Sequence, residues 1–455
     1  MTKYSQVLFL YIDALRFDTF SNKKLCKILL PNLSKIINKG TIKKIISNGQ
    51  VTQVSMPSIF CQRFPLDYDG YSTGIRNFPR SFVEDLKENG FHNTFIPSTY
   101  LTGPMWCLER GFDDVICMYD KRQIFDRFVR HFFKYYINEF DLKKITKKQL
   151  ITKLKSEYKN LLDYLIHRFR GVNNLKLPRF LRDFDDLEFK QLKKELLVLE
   201  SDPEKILKKM KQIPPEQYFK YLGETEFVLN KKIEFLKITF KKIVSNLLSF
   251  FFLELVSIKS NRMTPFASEV INFGLEKINF KKKNFIMFQF MDIHDSKTLT
   301  RFTQIFKLIR YLPKLLYSRI RFKSKSSKLY DLNLCYLDHQ IGKLINTIKI
   351  KNKNPLIFIT SDHGQGWDNQ RKKISNNQWG FKTFYERIDV PLIISKKIKI
   401  SDNGIHDSMS ISATLIDLLK IKKHSSYLGK SIIQNGNKIV ITEAGEPGFV
   451  DIKKH

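Results

Sequence analysis

The sequence predicts an α/β fold: a mostly parallel sheet sandwiched by helices, carrying a helical insertion. Three observations lead there. VLFLYID (Val7–Asp13), FIMFQFMD (Phe285–Asp292) and PLIFITSD (Pro355–Asp362) are continuously apolar and each ends in aspartate. Parallel strands are covered on both faces, so they read as unbroken apolar runs rather than alternating ones. Helical stretches separate these runs, at Pro31–Lys39, Arg80–Gly90 and Asp331–Ile348, the last with apolar residues at helical spacing. The middle of the chain then changes character and becomes Lys-rich and amphipathic. A fourth buried strand is expected at Val390–Ser395. In open sheets of this kind the reactive groups gather beyond the strand C-termini, which makes the terminal acids the first candidates.

The 455 residues suit one elaborated catalytic domain with a large insertion. We place the domain at residues 1–120 and 265–455 and the helical, basic insertion at 121–264. Within the insertion, KKQLITKLKSEYKNLLDYLIHRFRG and DLEFKQLKKELLVLESDPEKILKKMKQ are charged and amphipathic, without strand-like runs. The stretch Phe227–Val256 mixes basic residues with Phe and Leu. That composition suits a helix lying on anionic lipid, although an ordinary core helix of the insertion is the favoured reading.

Hydrophobic residues make up 42% of the chain and aromatics 13%, which excludes global disorder. The net charge of +34 attracts polyanions, although a Lys/Ile/Asn-rich genome leaves the same mark. There is no Cys/His zinc pattern and no aromatic RNA-binding motif, so no specific nucleic-acid partner is expected. Five scattered cysteines do not form a disulfide framework. The N-terminus lacks a signal-peptide layout, and the longest apolar stretch, Leu247–Ile258, is about half a membrane span and holds Glu254. The expected location is cytoplasmic, with peripheral contact to an anionic membrane.

Three segments carry chemistry. Thr360-Ser361-Asp362-His363-Gly364 sets an adjacent carboxylate and imidazole at a strand end, an arrangement able to hold one cation, with Gly364 allowing a sharp turn. Asp13-Ala14-Leu15-Arg16 follows the first strand. Asp13 there is either a hard oxygen ligand or a helix cap, and Arg16 either pairs with it or faces an anionic substrate. Thr52-Gln53-Val54-Ser55-Met56-Pro57 opens a helix, where main-chain N–H groups favour anions. A hydroxyl so placed is an ordinary N-cap unless a metal lies beside it, in which case it becomes a nucleophile.

In this order the segments resemble the alkaline phosphatase/sulfatase superfamily along most of the chain outside roughly 120–265. YIDALRFD resembles its first metal-binding strand end, and LLPNLSKIINKGTIKK the TPNLDxLAxxG stretch of sulfatases. MFQFMDIHDS is similar to the segment that ends in a functional histidine, and YDLNLCYLDHQIGKLI to the helix before the last metal strand. PLIFITSDHGQGW resembles TSDHGE, GFKTFYERIDVPLIIS resembles GKxxxYEExxxVPLII, and SISATLIDLLKI with LGKSII resembles the PTLLDLLGI tail.

The departures from sulfatases point toward phosphorus. No C/S-x-P-S-R pentapeptide is present, so the formylglycine of sulfatases has no precursor here. Thr52, Ser55 and Pro57 instead fit the T-x-x-S-x-P pattern of the phosphoethanolamine transferases, and Asp13 to Arg16 resembles their E-T-A-R. His363 replaces the Asn of many sulfatases, and nitrogen favours Zn²⁺ or Mn²⁺ over Ca²⁺.

The resemblance thus implies one divalent metal on Asp13, Thr52, Asp362 and His363, and Thr52 as nucleophile. It further implies His294 and Lys382 as catalytic groups toward the leaving group and the phosphate, and Arg16 and Ser55 as substrate-binding residues. Glu386 stands at the family's YEE position, and His406 is a further ligand to consider. The implied activity is phosphoester hydrolysis or transfer, on a phosphorylated or sulfated small molecule, glycan or lipid. Three alternatives remain open: a true sulfatase, a two-metal phosphodiesterase or phosphomutase, and an inactive membrane- or polyanion-binding scaffold.

Overall fold

The computed structural model describes residues 4–69, 74–98, 106–116, 136–137, 139–163, 186–205, 208, 265–294, 310–311, 313–314, 325–351, 355–366 and 384–443. The chain opens with strand β1 (Gln6–Ile12), two helices, α1 (Lys23–Leu29) and α2 (Pro31–Lys39), then β2 (Thr41–Ile46) and α3 (Thr52–Cys61). Helix α4 (Phe82–Glu88), β3 (His92–Ile96) and the short β4 (Asp114–Val115) follow. Next come α5 (Lys147–Asp163), α6 (Asp186–Ser201), α7 (Ala267–Lys277), β5 (Asn284–Phe290), α8 (Lys325–Lys351) and β6 (Leu356–Thr360). The last elements are the one-turn α9 (Tyr385–Ile388), β7 (Asp389–Ile394) and α10 (Met409–Leu418).

Seven strands form one sheet in the order β2-β7-β6-β1-β5-β3-β4. The interior strand β1 runs parallel to both β5 and β6, as expected from their apolar sequences. The expected strand at Val390–Ser395 is β7, and it runs antiparallel to both β6 and β2. The sheet is therefore mostly parallel, with one reversed strand.

Alternation along β1 divides the core into two layers. Val7, Phe9 and Tyr11 face one layer together with Met56, Ile59 and Phe60 of α3 and Leu415 of α10. Leu8, Leu10 and Ile12 face the other, with Leu33 of α2, Val270 of α7 and Leu337 and Ile341 of α8. Phe9 stacks on Phe358 of β6 at 6.2 Å between ring centroids and contacts Phe285 of β5 at 6.0 Å. The helices thus cover both faces of the sheet and leave the strand ends to carry chemistry.

Local signals explain the helix starts. Ser81 and Glu84 form a reciprocal capping box on α4, with Val83 N donating to Ser81 Oγ and Ser81 N to Glu84 Oε2. Helix α2 begins at Pro31, whose missing N–H costs nothing at that position. The next two amides, of Asn32 and Leu33, donate to the buried Asp338 carboxylate of α8 at 3.2 and 2.8 Å, and Asn32 Nδ2 adds a bond at 3.0 Å. The motifs PNL and YLDHQIG, far apart in sequence, are thus two halves of one contact. Burial pushes the Asp338 carboxyl above its usual range, and these donors pull it back.

The stretch assigned to the insertion is helical where it is described, in α5 and α6. It is not detached from the catalytic core. Leu150, Leu154 and Leu199 are fully buried in the α3-side layer. Glu157 is paired with Arg76 and accepts from Tyr136 Oη at 3.2 Å. The basic, Phe-rich run 227–256 lies outside the described residues. No helix among the described residues is long and apolar enough to cross a membrane.

Candidate active site

Strand register brings the acids together. Tyr11 of β1 sits opposite Thr360 of β6, so two residues further on Asp13 and Asp362 emerge side by side at the parallel strand ends. His363 follows directly. Thr52 is the first residue of α3, after Val51 in extended conformation. A Cβ on Gly49 would lie 2.7 Å from Val54 Cγ1 and 2.8 Å from Ser55 N, so a bare backbone is needed for this loop to fold against the helix start.

Asp13, Asp362 and His363 are all buried, and each offers one ligand atom within 4.8 Å of the other two. Asp13 Oδ1 is 3.7 Å and Asp362 Oδ2 3.4 Å from His363 Nε2. Neighbouring groups fix each orientation. His363 Nδ1 is 2.8 Å from the Gly364 carbonyl, which only accepts, so Nδ1 carries the hydrogen and a neutral ring turns the Nε2 lone pair inward. Asp362 Oδ1 accepts from His363 N at 2.8 Å, whereas the fully buried Asp362 Oδ2 accepts no hydrogen bond. Two buried carboxylates converging on an imidazole lone pair repel one another unless a cation lies between them. The donor set of two oxygens and one nitrogen fits a divalent metal ion.

The other Asp13 oxygen, Oδ2, receives the hydroxyls. Thr52 Oγ1 donates to it at 3.2 Å and Tyr11 Oη at 3.4 Å. The first amides of α3 have no intrahelical acceptor and lend partial positive charge beside Thr52. Tyr11 escapes sequence reasoning because it sits inside an apolar strand and reads as core. Burial, with Asp13 and then Asp362 beside it, pushes its phenol well above the usual value, so it keeps its proton.

Serines knit the loops behind these groups. The Ser47 hydroxyl lies within bonding range of the Asp362 and Gly49 carbonyls and of Ser55 Oγ. Leu15 N donates to Ser361 Oγ at 2.9 Å, tying the loop after β1 to the loop after β6.

Other expected residues fall differently. His294 lies just beyond the end of β5, half-buried, with its ring 6.3 Å from that of His363. Arg16 does not pair with Asp13. Its guanidinium forks onto Asp18 at 3.0 and 2.7 Å and donates to the Gln365 carbonyl at 2.9 Å, an internal clamp. Ser55 is fully buried and its hydroxyl donates to the Val51 carbonyl at 3.1 Å, which supports the helix start.

His406 is buried outside the Asp13–Asp362–His363 group, with Nδ1 3.4 Å from Ser410 Oγ. Burial, then Lys43 and Lys430, lower its pKa, which favours the neutral ring. Lys382 lies outside the described residues. Glu386 is half-buried in α9, where its carbonyl would sit 2.0 Å from a Cβ on Gly364. Gly364 is thus required by close packing of two backbones, not by a left-handed turn.

Ala14, directly after Asp13, does have a left-handed backbone, with φ of 67°. That conformation costs an L-residue about 1–2 kcal/mol and is kept here by the Tyr330 hydroxyl, which donates to the Ala14 carbonyl at 3.1 Å. Ala14→Gly is expected to raise unfolding free energy by about 0.5–1 kcal/mol in urea denaturation, offset in part by the flexibility of glycine in the unfolded chain. An unchanged or lower midpoint would show that the strain is not stored there.

Residues 210–421 match the sulfatase family model, a span that begins inside the stretch assigned to the insertion. Over 99 residues the chain is 28% identical to a 2,3-bisphosphoglycerate-independent phosphoglycerate mutase from Listeria welshimeri, a match that spans 22% of this chain and 18% of that protein. Among solved structures, the lipoteichoic acid synthase LtaP from Listeria monocytogenes aligns at 11% identity and a TM-score of 0.42, covering 94% of this chain and 76% of that one. A phosphonate monoester hydrolase from Silicibacter pomeroyi aligns at 13% identity and 0.46, covering 94% and 75%. A glycosaminoglycan-metabolism protein of Bacteroides thetaiotaomicron aligns at 12% and 0.49, covering 96% and 78%. The sulfatase match covers a little under half of the chain, and the order of the motifs and the mostly parallel sheet that assembles them agree with a resemblance to the alkaline phosphatase/sulfatase superfamily.

Proposed function

We propose that the chain is a metal-dependent phosphoester hydrolase or phosphotransferase with Thr52 as its nucleophile. The observation that carries this reading is the Thr52 hydroxyl at the start of α3, bonded to one oxygen of Asp13 while the other faces His363. Asp13, Asp362 and His363 would hold the ion, with Thr52 within reach of the same carboxylate. When bound, the ion lowers the pKa of a neighbouring hydroxyl and offsets phosphate charge.

The chain's own groups supply the rest. Thr52 Oγ1 bonds to phosphorus as its proton leaves along the hydrogen bond to Asp13 Oδ2. The bond from phosphorus to the leaving oxygen breaks, and His294 delivers a proton to that oxygen. The α3 N-terminus faces the negative charge on the phosphoryl oxygens. Water or an acceptor hydroxyl then takes the group from Thr52, with His294 accepting the proton and Thr52 regaining its own. A phosphoester on a glycan or lipid is the substrate class we favour, in keeping with the field of a chain carrying a net charge of +34.

The missing C/S-x-P-S-R pentapeptide supports phosphorus over sulfur. Assays of Zn²⁺- and Mn²⁺-loaded protein with p-nitrophenyl phosphate, bis-p-nitrophenyl phosphate and p-nitrophenyl sulfate test this directly. Turnover of a phosphoester above that of the sulfate is expected, and faster sulfate cleavage would overturn it.

A further inference from the structure

Tyr11 ends the α3-facing row of β1, in which Val7 and Phe9 are plain core residues. Phenylalanine would fill the same layer, so packing alone does not call for a hydroxyl there. The hydroxyl of Tyr11 reaches Asp13 Oδ2 at 3.4 Å, the oxygen that also takes the Thr52 hydroxyl at 3.2 Å. Both contacts are long for O–H···O bonds, as expected when two donors share one acceptor. A carboxylate oxygen has two lone-pair sites, so the two hydroxyls divide them.

We propose that Tyr11 is a positioning residue: its phenolic O–H anchors Asp13 Oδ2, keeps Oδ1 turned toward His363, and leaves Oδ2 one remaining site for the Thr52 proton. The inference rests on the metal-and-Thr52 reading of this site. The phenol suits the task because its hydroxyl reaches Asp13 Oδ2 from a strand of the core. Its ring is locked in the core, so the anchor does not move with the loops that carry Thr52 and His363. Donors that orient a ligating carboxylate are worth roughly 10–100-fold in metal affinity or activity.

Tyr11→Phe keeps the ring and removes only the hydroxyl. In the full chain, calorimetric titration with Mn²⁺ alone is expected to show affinity at least about tenfold weaker than wild type. With metal saturating, kcat for a small phosphoester should fall while KM holds, and the metal-free melting temperature should not change. Wild-type affinity and kcat in Tyr11→Phe would overturn the inference while leaving the metal site standing. A lowered metal-free melting temperature with unchanged Mn²⁺ affinity would overturn it too, assigning the hydroxyl to the fold. If wild-type protein itself takes up no Mn²⁺ or Zn²⁺, the reading of the site falls, and this inference with it.

Discussion

Thr52→Ala is expected to lower kcat for a small phosphoester by at least about 10³-fold, because the covalent step is lost outright. Affinity for metal should fall far less, since Asp13, Asp362 and His363 remain converged within 4.8 Å. Ser55→Ala is the matched control. Its hydroxyl, bonded to Val51 and beside Ser47, braces the start of α3, so its loss should cost stability more than chemistry. A dead Ser55→Ala with a near-normal Thr52→Ala would assign the nucleophile to Ser55.

Removing the metal should be as severe as removing the nucleophile. Chelation is expected to bring turnover to background, with Zn²⁺ or Mn²⁺ restoring it and Ca²⁺ restoring less. Asp362→Asn offers a sharper form of the same test. No protein group donates a hydrogen bond to the buried Asp362 Oδ2, which lies near a second carboxylate, and with no cation between them two such acids would oppose folding. The substitution should therefore stabilise the metal-free protein, on the order of 1 kcal/mol, while metal affinity drops by more than the roughly 10–100-fold of an outlying partner. A site built for function at the expense of stability behaves this way. Loss of stability together with unchanged Mn²⁺ affinity would mean that Asp362 is a structural acid.

Much of this site is legible in the sequence, for a simple reason. Buried parallel strands must be apolar throughout, so an acid at the end of such a run stands out, as Asp13 and Asp362 do. The T-x-x-S-x-P pattern picks out Thr52, and in the structure Thr52 is the first residue of α3. What the sequence hides depends on proximity. Tyr11 is ordinary in a strand until the β1–β6 register and the start of α3 put its hydroxyl between Asp13 and Thr52. Strand β2, TIKKII, carries Lys43 and Lys44 and lacks the unbroken apolar run of the interior strands. The reversed direction of β7 leaves no trace in DVPLII, because side-chain burial is the same either way along a strand. Arg16 and Asp13 share one motif, which suggests a pair, whereas the turn brings Asp18 to the guanidinium instead. The brace from Ser361 to Leu15 joins residues 346 apart in sequence, a pairing that only the folded chain creates.

The phosphorylated intermediate itself tests the central claim most directly. Metal-loaded protein mixed with a phosphoester, quenched in acid within the first turnover and digested, should yield the peptide containing Thr52 with one added phosphoryl group. Fragmentation should place the group on Thr52, and the peptide should be unmodified in Thr52→Ala. A phosphoryl group on Ser55, or steady turnover with no residue labelled at any quench time, would contradict the account.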